Sequence, residues 1–523
     1  MESNMKEQVK KGKKGLFHVI FSRIFVVFLL LALQVGFLAF MFTKLTHMVA
    51  AYTVLTIFAG ILVVYILNRR ENPAMKMSWM IIILVVPVFG ALLYLFISLQ
   101  IETNLIKRHY RMLIEETRPC LLQDEGVFAE LEQKDKQLSG VARYLRNYEG
   151  YPVYKNTKAT YFPVGEDKFK ELLIQLEKAE RFIFLEYFIV EEGYMWNSVL
   201  EILKRKVKEG VEVRFMYDGT CWISLLPYSY PKKMQALGIK CKMFAPVKPA
   251  LSTYQNNRDH RKILVIDGKV GFTGGVNLAD EYINKKERFG HWKDTAIMLE
   301  GDAVRSMTVM FLQMWNITER EGEENFGKYL LPAGSYVPEG ASGFVMPYGD
   351  SPYNEENLAE LVYMSILNTA TSYVHIMTPY LILDNEMIQA LTFAAKRGVE
   401  VIIIMPHIPD KWYAFVLAKT YYRELMDYGV KIYEYTPGFV HAKSFVSDDE
   451  KAVVGTINLD YRSLYLHYEC AAYMYQSDVV ADVERDFQET LAKSQLVTVE
   501  DCRKLHWFKK LCGRVLRLIA PLM

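Results

Sequence analysis

The chain has 523 residues, more than one hydrophobic core usually organises, so two to four domains are expected. Its 62 Lys and Arg against 60 Asp and Glu leave a formal charge of +2, which argues against a dedicated nucleic-acid binder, since such proteins usually carry a basic excess. The six cysteines are scattered without C-x-x-C spacing and are interpreted as free thiols, a pattern that supports neither a disulfide framework nor a zinc site.

Three long apolar stretches without charge come first, at residues 24–42, 48–67 and 78–99. Each is close to the ~20 residues that a helix needs to cross a bilayer core, so residues 1–110 are predicted to form an all-α transmembrane region. Pro87 and Gly90 lie in the middle of the third stretch and would permit a re-entrant hairpin, so two or three helices span the membrane in this prediction. The expected location is the cell membrane, multi-pass, with the side of the catalytic part left open.

From about residue 150 the chain alternates short apolar runs with amphipathic segments, a pattern typical of α/β domains. The runs at 182–190 and 208–216 are echoed at 373–382 and 396–404, and each pair encloses a helical pattern. An internal duplication is therefore predicted, with half-domains at residues 111–335 and 336–523.

A His-x-Lys motif occurs once in each repeat, as His260-Arg-Lys262 and His441-Ala-Lys443. A lone His-x-Lys would usually be a surface strand, but in both copies Lys, Asp, Gly and Asn follow the His at offsets of 2, 7, 14 and 17 residues. Agreement at four offsets by coincidence is improbable. The trailing acids and amides are Asp267 and Asp448, and Asn277 and Asn458.

These residue types suit a phosphodiester. On a strand, residues i and i+2 point to the same face, so each motif delivers an imidazole and an ammonium to one side. Lysines neutralise the non-bridging oxygens and Asn amides donate to them. One His can attack phosphorus to form a phosphohistidine, while the other protonates the departing alcohol and deprotonates the incoming one. No cofactor is expected, and a metal is disfavoured because a lysine on the same face would repel a divalent cation.

Two further carboxylates, Asp294 and Glu469, follow the first and second motif respectively. We treat them as equivalent groups that hold an imidazole nitrogen and so fix its tautomer, the alternative being ordinary strand-end charges. Asp267 and Asp448 lie at turns and could simply stabilise a loop, but they are kept among the catalytic candidates because the motif includes them.

The two motifs resemble the signature of the phospholipase D superfamily, His-x-Lys-x4-Asp followed by Gly-Gly/Ser-x-Asn, over roughly residues 150 to 475. Within it the chain is similar to bacterial cardiolipin synthases. That similarity is carried by Asn257-Arg-Asp-His260-Arg-Lys, Trp292-Lys-Asp294-Thr, Asn458-Leu-Asp-Tyr-Arg-Ser463 and Asn72-Pro-Ala-Met-Lys-Met-Ser-Trp79. His467 departs from the pattern, since it stands where the superfamily often has Asn.

The resemblance implies an α/β fold of two duplicated half-domains with mixed sheets flanked by helices. It implies that two phosphatidylglycerol molecules are joined with release of glycerol and without a metal, with His260 as nucleophile and His441 as acid/base. The expected partners are phosphatidylglycerol and anionic membrane lipid, with no nucleic acid.

Two other functions stay open. A membrane-tethered phospholipase D, phosphodiesterase or nuclease would use the same site with water or another alcohol as acceptor, although no aromatic and basic stripe favours nucleic acid. A catalytically dead scaffold would be expected to have lost a motif His or Lys, and all four are present.

The carboxyl end, residues 503–523, has apolar residues at 507, 511, 515 and 518 and six basic residues among them. This pattern predicts a basic amphipathic helix, which would either lie on an anionic bilayer or pack against the catalytic domain. The oligomeric state is not predicted.

Overall fold

The structure is a computed structural model that describes residues 32, 36, 45–98, 101–247, 256–318, 325–354 and 356–522. Apart from residues 32 and 36, the first predicted apolar stretch lies outside the described residues. The chain forms two units, one made of residues 1–105, 247–256 and 521–523, and the other of residues 106–246 and 257–520.

The first unit is helical. Its helices are Leu45–Leu67 (α1), Pro73–Val85 (α2) and Pro87–Ser98 (α3), and Ile101–Thr117 (α4) leads into the second unit. The apolar stretch 78–99 does not continue as one helix, because Pro87 begins a new one. The two halves pack closely, since a Cβ on Gly90 would lie 2.7 Å from the backbone oxygen of Ile82. Helices α2 and α3 therefore pack against each other beside Pro87, and a re-entrant insertion into a membrane stays a prediction.

Among the described residues, one helical segment, Pro87–Cys120, which includes α3 and α4, is long and apolar enough to cross a membrane, while Thr53–Leu67 within α1 and Pro73–Val85 (α2) are shorter apolar segments. This N-terminal helical region suggests membrane anchoring. Multi-pass insertion stays a prediction.

The second unit contains two mixed β-sheets. The strands of its first half are Thr157–Phe162 (β1), Phe182–Tyr187 (β2), Glu212–Asp218 (β3), Lys240–Phe244 (β4), Lys262–Ile266 (β5), Val270–Gly274 (β6), His291–Lys293 (β7) and Ala296–Gly301 (β8). Seven of them form a sheet in the order β4-β3-β2-β5-β6-β8-β1. The helices of this half are Glu125–Lys134 (α5), Lys136–Glu149 (α6), Gly165–Glu177 (α7), Tyr194–Lys208 (α8), Cys221–Ser224 (α9), Tyr230–Gln235 (α10) and Val304–Asn316 (α11).

The second half repeats this arrangement. Its strands are Phe344–Asp350 (β9), Tyr373–Met377 (β10), Leu381–Ile382 (β11), Glu400–Pro406 (β12), Lys431–Tyr435 (β13), Gly438–Val440 (β14), Ser444–Ser447 (β15), Lys451–Gly455 (β16), Leu459–Asp460 (β17), Glu469–Tyr475 (β18) and Ser494–Leu496 (β19). Its helices are Leu358–Thr369 (α12), Asn385–Lys396 (α13), Trp412–Met426 (α14), Val479–Leu491 (α15), Val499–Lys504 (α16) and Trp507–Ile519 (α17).

The second sheet has the order β19-β13-β12-β10-β15-β16-β18-β9, which matches the first strand for strand apart from the added edge strand β19. In both sheets the first three matched strands are parallel and the remaining pairings are antiparallel. The predicted α/β class and duplication are therefore confirmed. The predicted half-domain boundary at residue 335 falls between α11 and β9.

The central strands are buried along their length, as in β2, where helices cover the sheet and the sequence reads as a nearly continuous apolar run. A buried strand holds the residues at its two ends rigidly. Both His-x-Lys motifs lie at the beginning of such a strand, β5 or β15. The six cysteines, all within the described part of the chain, are free.

Candidate active site

Each His-x-Lys motif lies at the start of a buried strand. Lys262 begins β5, and Lys443 directly precedes β15, its counterpart in the second sheet. Both strands pair with the central strand of their sheet, β2 or β10. The side chains of His260 and His441 are almost fully buried.

The two histidines are held by carboxylates from opposite half-domains. The Nδ1 of His260 lies 2.9 Å from Glu469 Oε1, and the Nδ1 of His441 lies 2.6 Å from Asp294 Oδ2. The sequence pattern left open which histidine each carboxylate contacts. In the structure each histidine contacts the carboxylate of the other half-domain. Neither half-domain therefore contains a complete histidine–carboxylate pair, and the site is a composite of both.

Backbone pairing between the halves produces this crossing. The N–H of His260 donates to the carbonyl of Tyr468 at 3.0 Å, and the N–H of His441 donates to the carbonyl of Lys293 at 2.7 Å. Strand β14, which precedes His441, also pairs in parallel with β7. Each carboxylate directly follows the residue whose carbonyl accepts from the opposite histidine, so the same contacts position both groups.

The electrostatics favour a neutral imidazole beside an ionised carboxylate. Burial opposes charge on Asp294, but His441 and Lys443 outweigh it and hold the pKa of Asp294 below its ordinary value. Burial and Lys443 lower the pKa of His441 to about 4 against the opposing effect of Asp294. Burial and Lys262 hold the pKa of His260 well below its ordinary value. A neutral imidazole that donates through Nδ1 carries its lone pair on Nε2, which suits a nucleophile or a base.

The motif lysines lie on the same site. The Nζ of Lys262 donates to the carbonyl of His260, and the Nζ of Lys443 donates to the carbonyl of His441. Burial lowers the pKa of Lys262 to about 8 and that of Lys443 to about 7, although Asp294 and Glu469 act in the opposite direction. Two ammonium groups that desolvation makes costly are well placed to meet an anionic phosphate.

The motif asparagines have different surroundings. Asn277 accepts from the backbone N–H of Ile189 at 3.0 Å and donates to the Tyr282 hydroxyl at 2.8 Å, so much of its amide already binds protein. The ring centre of Tyr282 lies 5.5 Å from that of His441. Because Asn277 binds the Tyr282 hydroxyl, it helps to position the aromatic ring that packs on His441. Asn458 is buried, and its Oδ1 has no hydrogen-bond partner within the described residues.

Asp267 and Asp448 do not join the histidines. Asp267 accepts from the backbone N–H groups of residues 180–182, and Asp448 accepts from those of residues 371–373. Both adopt a left-handed backbone with φ of 55° at the far end of the strand, ~16 Å of extended chain beyond the lysine. These contacts favour the alternative, a turn anchor that holds the beginning of the strand β2 or β10, and the catalytic role stays a prediction that Asp267→Ala and Asp448→Ala would test.

Sequence reasoning missed a pair of residues that contact the carboxylates. A Cβ on Gly275 would lie 1.9 Å from Asp294 Oδ1, so only glycine fits there. Its counterpart Thr456 donates its hydroxyl to Glu469. Both lie 15 residues after the motif His. The difference between Gly and Thr at this matched position is the sequence feature that could have indicated a contact with the carboxylates.

His467 lies against the first pair. Its ring is 5.5 Å from that of His260, and its Nδ1 lies 3.7 Å from Glu469 Oε1. Burial lowers the pKa of His467 to about 3, and neither ring nitrogen has a hydrogen-bond partner within the described residues. His260, His467 and Glu469 offer ligand atoms within 4.8 Å of one another, a group that could hold a metal ion. The neighbouring motif lysines raise the electrostatic cost of a divalent cation there.

Known families and proteins match this chain over most of its length. A family model described as cardiolipin synthase, PLD-like domain, matches residues 172–315 and 363–491, and one described as phospholipase D-nuclease N-terminal matches residues 54–98. Cardiolipin synthases of Alkalihalophilus pseudofirmus and Halalkalibacterium halodurans are each 33% identical over 90% of this chain and 93% of their own. An uncharacterized protein of Streptococcus mutans is 52% identical over 88% of this chain and 99% of its own.

Among solved structures, phosphatidylserine synthase of Haemophilus influenzae superposes with a TM-score of 0.54 at 14% identity. The match covers 74% of this chain and 98% of the synthase. At this identity the likeness is one of fold.

Proposed function

The chain belongs to the cardiolipin synthase-like family of the phospholipase D superfamily, and on that premise we propose that it is a cardiolipin synthase. It would transfer the phosphatidyl group of one phosphatidylglycerol to a second, giving cardiolipin and glycerol through a covalent phosphohistidine.

The observation that carries the proposal is the crossed pairing of His260 with Glu469 and His441 with Asp294. It provides two imidazoles with fixed Nδ1–H groups and with Nε2 lone pairs, flanked by two lysines. A two-step transfer needs one nucleophile and one proton carrier beside a cationic phosphate site. This arrangement supplies all three from one composite site.

In the first step the Nε2 of His260 attacks the phosphorus of phosphatidylglycerol. A P–N bond forms, the P–O bond to the headgroup glycerol breaks, and the Nε2–H of protonated His441 gives its proton to the departing oxygen. Lys262 and Lys443 stabilise the charge on the non-bridging oxygens.

The low pKa of His441, about 4 in the free protein, gives the substrate a part in this step. A phosphodiester anion between the two imidazoles raises the pKa of its neighbours, so His441 gains its proton as the lipid binds. His441 is thus protonated, and able to act as an acid, only when the phosphodiester that it helps to cleave is bound.

In the second step neutral His441 takes the proton of a primary headgroup hydroxyl of a second phosphatidylglycerol. The hydroxyl oxygen attacks phosphorus, the P–N bond breaks, and cardiolipin leaves with His260 restored. A lipid acceptor agrees with the apolar N-terminal region and with relatives that are cardiolipin synthases.

The test supplies the purified full-length protein with phosphatidylglycerol labelled separately in the headgroup glycerol and in the acyl chains. We expect acyl label in cardiolipin and one free labelled glycerol for each cardiolipin formed. Acyl label in phosphatidic acid alone would contradict the synthase and would indicate a phospholipase D that uses water. The His260→Asn protein is the blank for both products.

A further inference from the structure

The C-terminal helix α17 is attached to the catalytic unit by one narrow face. Gly513 is buried against α14, where an added Cβ would lie 2.7 Å from Thr420 Cγ2 and 3.0 Å from the carbonyl oxygen of Val416. Arg517 donates to Glu424 at 2.7 Å. The sequence left open whether this helix packs on protein or faces lipid, and these contacts show that part of it packs.

The opposite face of α17 is apolar and exposed. Trp507 is 67% exposed, and Leu511, Val515 and Leu518 are each between 50% and 53% exposed. Their spacing places them in one stripe along the helix. Four large apolar side chains in water lose the favourable free energy that burial would give them, and a helix that served packing alone would carry polar residues here.

Basic residues flank this stripe. Residues 503–523 contain six Lys and Arg and no Asp or Glu. Arg517 is paired with Glu424, while Arg514, which lies one helical turn from both Leu511 and Leu518, is exposed to solvent. An apolar stripe with an aromatic residue at one end and cations beside it matches the interface of a bilayer that contains anionic lipid.

We propose that the exposed face of α17 lies in the interfacial layer of an anionic bilayer, with the stripe toward the acyl chains and the basic residues at the phosphates. The protein thus has a lipid contact on its catalytic unit in addition to the N-terminal helical region. The proposal concerns where the protein binds lipid, and it holds whichever reaction the site catalyses.

The test places the full-length protein in nanodiscs of phosphatidylcholine alone or mixed with phosphatidylglycerol, with bromine on shallow acyl carbons to quench tryptophan. The quenching lost on Trp507→Phe isolates the contribution of Trp507. We expect that contribution to be large in the mixed discs and smaller in phosphatidylcholine. Removal of the cation beside the stripe, as in Arg514→Gln, should weaken the lipid-bound state of the helix about fivefold.

Leu511→Gln tests the stripe, and Ile174→Gln is its matched control, since the two side chains are 50% and 49% exposed and both lie on helices of the catalytic unit. Leu511→Gln should reduce Trp507 quenching and Ile174→Gln should leave it unchanged. Equal quenching of wild type and Trp507→Phe would overturn the proposal. So would a Trp507 emission shift in lipid-free detergent that grows with protein concentration, because it would assign the face to a second copy of the chain.

Discussion

The two half-domains share one topology and one motif, yet they surround their histidines differently. The ring of His441 lies among three aromatic rings, those of Tyr282, Trp292 and Phe439. Among the described residues, the ring of His260 has one aromatic neighbour, Phe188, besides the imidazole of His467.

The carboxylates differ in the same way. Asp294 fits against a glycine, Gly275, whereas Glu469 is longer and accepts a hydroxyl from Thr456. Duplication therefore explains why the site has two imidazoles. The later divergence of their surroundings explains how one can serve as nucleophile and the other as acid and base. A symmetric site would give nucleophile and acid the same surroundings and hence the same pKa.

The largest expected effect separates the two histidines. His260→Asn removes the proposed nucleophile and should abolish turnover, whereas His441→Asn should slow turnover by about 10²–10⁴-fold and leave the phosphohistidine trapped. Rapid quenching with acyl-labelled lipid, followed by peptide mass analysis, reads the adduct. An adduct on His441 in the His260→Asn protein would reverse the two roles.

The second expected effect compares substitutions beside the two carboxylates, Gly275→Ala beside Asp294 and Thr456→Ala beside Glu469. Gly275→Ala places a Cβ 1.9 Å from the Asp294 oxygen, so the carboxylate must move off His441, and kcat should fall by about 10²-fold or more. Thr456→Ala deletes only one hydroxyl from Glu469, and kcat should fall by about tenfold. Steady-state kinetics of both variants beside wild type checks this order. Equal losses would mean that both carboxylates are held alike.

The third effect is a pH dependence set by the motif lysines. Burial lowers their pKa to about 7 for Lys443 and about 8 for Lys262, so each loses its positive charge as pH rises through that value. We expect kcat/KM to be highest below pH 7 and to decline with rising pH between about 7 and 9, since the phosphate then meets less charge. Lys443→Arg keeps its charge and should move the decline to higher pH. A flat profile to pH 9 would contradict this assignment.

The fold class and the duplication could be predicted from the sequence because the same pattern of strands, helices and His-x-Lys motif occurs twice. A repeat of this kind is found by comparing the chain with itself. It did not predict which carboxylate serves which histidine. That crossing depends on β7 pairing with β14, and short strands such as these carry no pattern that names their partner. Asp267 was included as catalytic because it stands in the motif, but its three backbone contacts are visible only once β2 is placed beside β5.

The fourth prediction concerns that turn anchor. Asp267→Ala leaves three backbone N–H groups without their charged acceptor and should destabilise the fold by about 2–4 kcal/mol, with kcat of the folded protein unchanged. Asp448→Ala should cost less, because Asp448 is more exposed. Thermal unfolding followed by activity of the soluble fraction separates the two properties. Loss of kcat at full stability would support the predicted catalytic role of Asp267 and contradict the turn anchor.

The smallest expected effect is at His467, the extra imidazole of the first pair. Burial keeps it neutral, with its pKa lowered to about 3, so His467→Asn removes no charge, and kcat should change by less than about threefold. A chelator should also leave activity unchanged, since the motif lysines supply the positive charge that the phosphate needs. Assays with and without chelator in wild type and His467→Asn test both statements. Activity that a chelator removes, that a divalent cation restores, and that His467→Asn lacks would make His260, His467 and Glu469 a metal centre, and the difference between the half-domains would then be one of metal binding.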